Sequence, residues 1–380
     1  QIVEMFLILS ALITTSLAAD QLILAQTLWR HGARTPTGSY PSDPYQESFW
    51  GVPWGELTTG GMQQQFEQGQ RLRKRYIEDI GLVDRKYSRY ETYVRSADTP
   101  RCIESAMANM ASFYSDSPTY PQNLNGWPST WTPVPVHSEP HDEDRELEAG
   151  GNCPKADALS NAREQQQEFQ NFLATKWQLF ATINLNAGEN FDFVMHTLSH
   201  FHGILKVEKE DFNLTMPSWI TEDFYNDLVE ACLQGEDYLD GAAGFGLGED
   251  VQLLRLSGGF MLKEWVNNIN AAVNGTSDIR YRAYSGHDTI ERFLMLVLGA
   301  KNATIGPGNP DYASVIACEL WKKDDGQYYV QFSFAKDSVS DLVPFTSVIG
   351  DCSSDLCPLN TFLSYAEKYL PASDKECDLH

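Results

Sequence analysis

Apolar runs of strand length alternate along the chain with longer stretches of helical periodicity. Leu22-Ile23-Leu24-Ala25-Gln26-Thr27-Leu28-Trp29 is rich in β-formers, has the length of a buried strand, and is broken by Gly32 and Pro36. Met62, Phe66, Gly69, Leu72 and Tyr76 then recur at helical spacing, so one face of that helix is expected in the core. Residues 90–96 read as a second strand. Asp98-Thr99-Pro100 supplies a cap and a first-turn proline for a helix with Ile103, Met107, Met110 and Phe113 inward. Prolines and an acidic run at 139–148 make the stretch from 115 to 153 loop-like. From 157 to about 250 the pattern is helical and polar, with Leu159, Phe169, Leu173, Trp177 and Phe180 as one apolar stripe. Residues 279–285 form a third strand, followed by an apolar helix over 289–298. Asp324-Asp325-Gly326 joins 314–321 to 327–334 as a hairpin.

Charged residues collect where the three strands end. Arg30, His31 and Arg34 follow the first, Arg95 lies near the end of the second, and His287 and Asp288 follow the third. In open α/β sheets ligands bind in the crevice beyond the carboxyl ends of the strands, so three such ends are expected to converge on one pocket. Two guanidiniums flanking an imidazole suit a tetrahedral oxyanion such as phosphate, because guanidinium forks match its oxygens. The imidazole between them is a candidate nucleophile.

Other chemistry-bearing stretches are weaker. The basic cluster at 71–75 lies late in its helix, where cations favour the helix dipole, and reads as a solvated face. The loop carrying Tyr40, Trp50 and Trp54 either walls a pocket entrance or packs as a surface loop. His137 and His141 read as structural or surface positions. His196, His200 and His202 cluster, but the sequence places no further ligand and carboxylate beside them, so no metal site is expected there.

Arg30-His31-Gly32-Ala33-Arg34-Thr35-Pro36 resembles the signature of the histidine acid phosphatases, which include prostatic and lysosomal acid phosphatases and the phytases. Val94-Arg95-Ser96-Ala97-Asp98 resembles the family's second phosphate-contacting stretch, and His287-Asp288 its second catalytic motif. The likeness is dense near 22–110, 213–219 and 281–377 and thin between them. It implies an α/β fold: a three-layer α/β/α core with a mainly parallel central sheet, as in the phosphoglycerate mutases, plus a smaller inserted helical domain. The expected division is 20–150 and 251–380 for the core and 151–250 for the insert. The implied activity is metal-independent hydrolysis of phosphate monoesters at acid pH, with no cofactor. His31 would attack phosphorus, giving a phosphohistidine that water hydrolyses. Arg30, Arg34, Arg95 and His287 would clamp the phosphate, and Asp288 would protonate the leaving oxygen. Cys352 and Cys357 are close enough in sequence for a short-loop bridge; Cys153–Cys377 and Cys232–Cys318 are the other pairs expected. Cys153, Cys318, Cys352, Cys357 and Cys377 fall where similar acid phosphatases carry cysteines, whereas Cys232 departs from the pattern. Cys102 is left over as a buried thiol.

Composition narrows the alternatives. A net charge of −24 argues against nucleic acid and anionic membrane surfaces as partners. Residues 5–13 are apolar and followed by Ser16-Leu17-Ala18-Ala19, which reads as a secretory signal peptide over 1–19, too short to span a membrane. Location in the lysosomal lumen or outside the cell follows, with glycosylation candidates at Asn213, Asn274 and Asn302. A small phosphomonoester or a phosphoprotein is the expected partner, and a homodimer is family analogy. Two other readings stay open: a phytase-like inositol phosphate hydrolase, and a non-enzymatic secreted phosphate-binding or host-interaction protein that keeps the fold.

Overall fold

Ten residues, Gln21–Arg30, form β1, the strand on which the rest of the sheet is laid. The computed structural model describes residues 20–115, 117–118, 124–129, 131–148 and 153–379, so the segment read as a signal peptide lies outside the described residues. After β1 come α1 (Thr59–Arg73), β2 (Thr92–Ser96) and α2 (Pro100–Phe113). Five helices follow: α3 (Pro154–Glu164), α4 (Gln167–Thr175), α5 (Trp177–Asn186), α6 (Met195–Leu205) and α7 (Glu222–Leu239). The chain then returns through α8 (Val251–Ser257), α9 (Gly259–Val273), β3 (Tyr281–Gly286) and α10 (Asp288–Val297). It finishes with β4 (Val315–Lys322), β5 (Tyr328–Ala335), β6 (Val343–Pro344), β7 (Cys357–Pro358) and α11 (Leu359–Ala366).

The strand order is β2-β3-β1-β4-β5-β6, with β7 also on β5. β2, β3 and β1 run parallel, in register from Thr92↔Tyr281 and Ala25↔Tyr281, so their carboxyl ends share one edge. β4 and β5 continue the sheet antiparallel through the expected hairpin, with Lys322 opposite Tyr328 and Gly326 at φ 82° in the turn. Helices cover both faces. Leu24 and Leu28 of β1 pack with Leu254, Met261, Trp265, Ile290 and Leu294 from α8, α9 and α10. Ala25 and Trp29 pack with Leu72, Tyr76, Met110 and Phe113 on the side of α1 and α2. An irregularity in the β1–β4 register between Leu22 and Leu24 lets Leu22 join this second face. Polar residues inside β1 are all partnered: Gln26 donates to the Trp265 carbonyl and accepts from Asn268, and Thr27 bonds the Tyr281 hydroxyl. The helices from α4 to α7 gather a separate apolar cluster around Phe169, Leu173, Phe180, Phe201 and Leu228.

Three residues expected inward are exposed. Met62 and Met107 are turned to solvent because α1 and α2 pack their small and polar residues, Gly61, Gln65, Gln68, Gly69, Ser105 and Asn109, against the motif loop and each other. Trp177 falls off the apolar stripe because the chain breaks helical phase at Lys176, between α4 and α5. Thr99 caps α2 without a side-chain bond to the backbone; its hydroxyl donates to Glu148 instead.

Cys153–Cys377 and Cys352–Cys357 are disulfides. The expected Cys232–Cys318 bridge is not formed. Cys318 is buried in the sheet core and Cys232 in the helical cluster, two separate cores that do not bring the sulfurs together. Cys102 is a buried free thiol. Asn213, Asn274 and Asn302 are all exposed.

Candidate active site

The motif loop leaves β1 with its backbone tied down on every side. His31 N donates to the Gly286 carbonyl, and the His31 carbonyl accepts from Ala313 N. Gln65 of α1 donates to the Arg30 carbonyl, Gly32 N donates to Ser105 of α2, and Ala33 N donates to Gln64. Thr58 closes on the Ala33 carbonyl through both its amide and its hydroxyl. Gly32 is required here by contact: a Cβ on it would lie 2.2 Å from the Gly61 carbonyl oxygen. Gly61, Gln64 and Gln65 of α1 and Ser105 of α2 thus hold this loop.

His31 is buried, and its Nδ1 is 2.8 Å from the Gly32 carbonyl. A carbonyl can only accept, so Nδ1 carries the proton and Nε2 keeps its lone pair for attack. Burial, together with the charges of Arg30, His287, Arg101 and Arg34, holds this imidazole well below its ordinary pKa. Both effects favour its neutral form. The His287 ring stands edge-on at 5.5 Å.

Arg30 donates to the Pro310 carbonyl at 2.7 Å, pairs with Asp288 at 3.0 Å and lies over the Tyr312 ring at 4.0 Å. His287 and Asp288 sit where β3 gives way to α10, His287 at the cap and Asp288 in the first turn. His287 is held between Glu148, 3.5 Å from Nε2, and Arg101, 3.4 Å from Nδ1. Burial would push the Asp288 carboxyl up, but Arg30, Arg34 and His287 outweigh it and bring the pKa down to about 2. Beneath Arg30, burial pushes Glu291 up to about 8; it accepts the Ser314 hydroxyl.

These residues open into a cavity of about 300 Å³ lined by His31, Arg34, Arg101, Glu148, His287, Asp288 and Thr289. A second cavity of about 240 Å³ adjoins it through Arg34 and Asp288 and runs under α6 and α7. A larger cavity, about 920 Å³, lies at the opposite end of the strands around Gln21, Tyr90 and Arg280 and contains none of the motif residues.

Arg95 does not belong to this site. Its Nη2 is 2.7 Å from Asp144, 3.1 Å from Glu146 and 3.2 Å from Glu139, so its charge is consumed by three carboxylates of the 139–146 loop. The guanidinium that lines the crevice is Arg101, in the first turn of α2. The legible signal was position: the first turn after a strand is also where Asp288 stands. Glu148, at the end of the acidic run, and Tyr312, in a loop before β4, were also missed, because neither stretch marks which of its residues faces the crevice. The basic cluster at 71–75 is spent on ion pairs, Arg75 with buried Glu319, Arg73 with Glu78 and Lys74 with Asp79. The aromatic loop packs on the helical cluster through Tyr40, against Phe201 and Trp219, and lines neither site cavity.

A parallel-sheet crevice lined by a buried histidine, two arginines and a carboxylate suits phosphoryl transfer. The family model of the histidine phosphatase superfamily (branch 2) matches residues 21–335, and the chain belongs to that family; it is a phosphatase. Among relatives, lysosomal acid phosphatase of Rattus norvegicus is 34% identical over 364 residues, 95% of this chain and 81% of that protein. Prostatic acid phosphatase of Homo sapiens is 30% identical over 94% of this chain and 87% of its own length. Among solved structures, a Hafnia alvei phytase in complex with tartrate shares the fold with a TM-score of 0.67 at 18% identity, covering 96% of this chain and 100% of that one.

Proposed function

We propose that the protein hydrolyses small phosphate monoesters in an acidic lumenal or extracellular compartment, through a phosphohistidine on His31. The observation that carries this reading is the neutral, buried His31, proton on Nδ1, facing a cavity shared with two arginines and Asp288. Nε2 attacks phosphorus as the ester oxygen departs; Asp288 gives that oxygen its proton; water then attacks the phosphohistidine, returning its proton to Asp288 and releasing phosphate. Arg30, Arg34, Arg101 and His287 bear the charge of the transferring group, the role a metal ion has in other phosphatases.

Arg30, Arg34 and His287 hold Asp288 in its ionised form. Bound phosphate takes over their charge, raises the Asp288 pKa and lets it carry the leaving-group proton at acid pH. That handover ties activity to the acid range. The adjoining cavity, about 240 Å³, sets Glu210, Glu236 and Asp288 against Arg30, Arg34 and Lys206, without the excess of positive charge that would favour an inositol polyphosphate.

The test is hydrolysis of p-nitrophenyl phosphate from pH 3 to 9 with and without chelator, joined to alkaline quenching with radiolabelled substrate. Turnover on the acid side, indifferent to chelator, with label on the wild-type chain and none on His31→Ala, is the expected result. Undiminished turnover by His31→Ala would sink the mechanism.

A further inference from the structure

The wall of the second cavity carries chemistry that phosphoryl transfer does not use. His202 projects from α6, and Cys232 and Glu236 stand one helical turn apart on α7, which packs beside it. All three line the cavity together with Arg30, Arg34, Asp288 and Tyr312. Their ligand atoms, an imidazole nitrogen, the thiol sulfur and a carboxylate oxygen, lie within 4.8 Å of one another. Around one zinc ion such atoms sit about 3.3–3.8 Å apart, given bonds of about 2.0–2.3 Å, so small side-chain rotations close the set.

The surroundings hold the carboxylate in place: Glu236 is also ion-paired with Arg292. Glu236 is oriented by Ser199, which donates to Oε1 at 2.8 Å, and by Arg292, which donates to Oε2 at 2.9 Å; Asn309 is 3.4 Å from the same oxygen. Such outer partners fix ligating carboxylates in metal sites. Cys232 has no disulfide partner, although its chain carries two bridges elsewhere. Another group among the described residues, Glu139, Asp144 and Glu146, meets the same proximity condition, but all three of its carboxylates surround one guanidinium, that of Arg95, and it offers neither nitrogen nor sulfur.

We propose that His202, Cys232 and Glu236 form a zinc site in the wall of the leaving-group cavity, and that zinc bound there blocks turnover. Nitrogen, thiolate and carboxylate are a zinc donor set, and three protein ligands leave the fourth position facing the cavity. Binding displaces the thiol proton into solvent, and the thiolate together with the carboxylate that Glu236 shares with Arg292 faces the ion's two charges. A water or hydroxide on the fourth position fills space that the departing alcohol needs. Metal binding stands independently of the catalytic reading; the blocking of turnover rests on it.

The experiment is titration of the intact protein with zinc chloride by equilibrium dialysis, alongside cobalt chloride followed by absorption, in wild type, Cys232→Ser and His202→Gln. One zinc per chain, an intense near-ultraviolet thiolate-to-cobalt band, and at least a tenfold weaker binding with loss of the band in Cys232→Ser are expected. Zinc should inhibit wild-type hydrolysis of p-nitrophenyl phosphate, and Cys232→Ser should need about tenfold more for half-inhibition. Circular dichroism melting of each variant checks that loss of binding is not loss of fold. Binding that survives both substitutions, or no stoichiometric binding, overturns the site. Equal inhibition of wild type and Cys232→Ser overturns the blocking role and places zinc on the catalytic imidazoles. A chain that binds zinc as expected but hydrolyses no ester keeps the site and refutes the catalytic reading instead.

Discussion

Two junctions of the sheet, β2–α2 and β3–α10, share one grammar of strand, turn and helix, yet they deliver their site residues differently. After β3 the helix begins almost at once: Gly286 ends the strand, His287 caps and Asp288 opens α10. Strand end and helix start are then the same place, and the motif stands directly over the crevice. After β2 the residues Ala97, Asp98 and Thr99 intervene before Pro100 starts α2. The charge at the strand end, Arg95, turns to the 139–146 loop, and the charge one turn into the helix, Arg101, reaches His287. A charged residue near a strand end is thus a site residue only if its side chain leaves on the crevice side.

Substitutions at the two junctions break or sharpen this contrast. The largest effect is expected from Asp288→Asn, a fall in kcat of about 10²–10⁴ on alkyl phosphates and much less on p-nitrophenyl phosphate, whose leaving group needs little protonation. Equal losses on both esters in steady-state kinetics would remove the proton-donor role. Arg101→Ala should lower kcat/KM by about 10²–10³ by deleting a guanidinium from the transition state. Arg95→Ala should change kcat/KM by less than about threefold but cost stability, on the order of 3 kcal/mol in urea unfolding, because buried Asp144 loses its partner. A reversal of these two arginines would restore the strand-end residue to the site.

The smallest expected effect is a pH dependence of stability. Burial raises Glu291 to about 8 and Asp240 to about 7, and burial with the nearby Asp43 charge raises Glu208 to about 9. A carboxyl raised in the folded state contributes stability that is fully present below its unfolded pKa and is lost as pH climbs through its folded pKa. Melting temperature should therefore be higher near pH 5 than near pH 9. Glu208→Gln should flatten part of that slope, as differential scanning calorimetry across pH would show. Asp288 works in the opposite sense: lowered to about 2, it supports the fold above its unfolded pKa and gives that up only toward pH 2.

Much of the catalytic pocket was legible because its parts are local. Arg30, His31 and Arg34 follow a strand whose apolar pattern is unmistakable, and His287-Asp288 repeats the arrangement. Helix faces were read less well: Met62 and Met107 look apolar and are exposed, while Gln65 and Gln68 look polar and are buried. The cause is that α1 packs against backbone carbonyls, that of Arg30 at the motif and that of Ala313 before β4, which glutamine amides can satisfy and methionine cannot.

What the sequence by itself determined is therefore the order of strands and helices, the proposed nucleophile His31 with its flanking arginines, and the His287-Asp288 pair. These depend on period, breakers and neighbours within a few residues. Tertiary structure alone decided that Arg101 and not Arg95 faces the crevice, that Cys232 and Cys318 stay apart, and that His202 meets Cys232 and Glu236. Each of those outcomes turns on the direction in which a side chain leaves its element and on what a distant segment sets opposite it. Local pattern carries neither quantity, because both arise only when the elements pack.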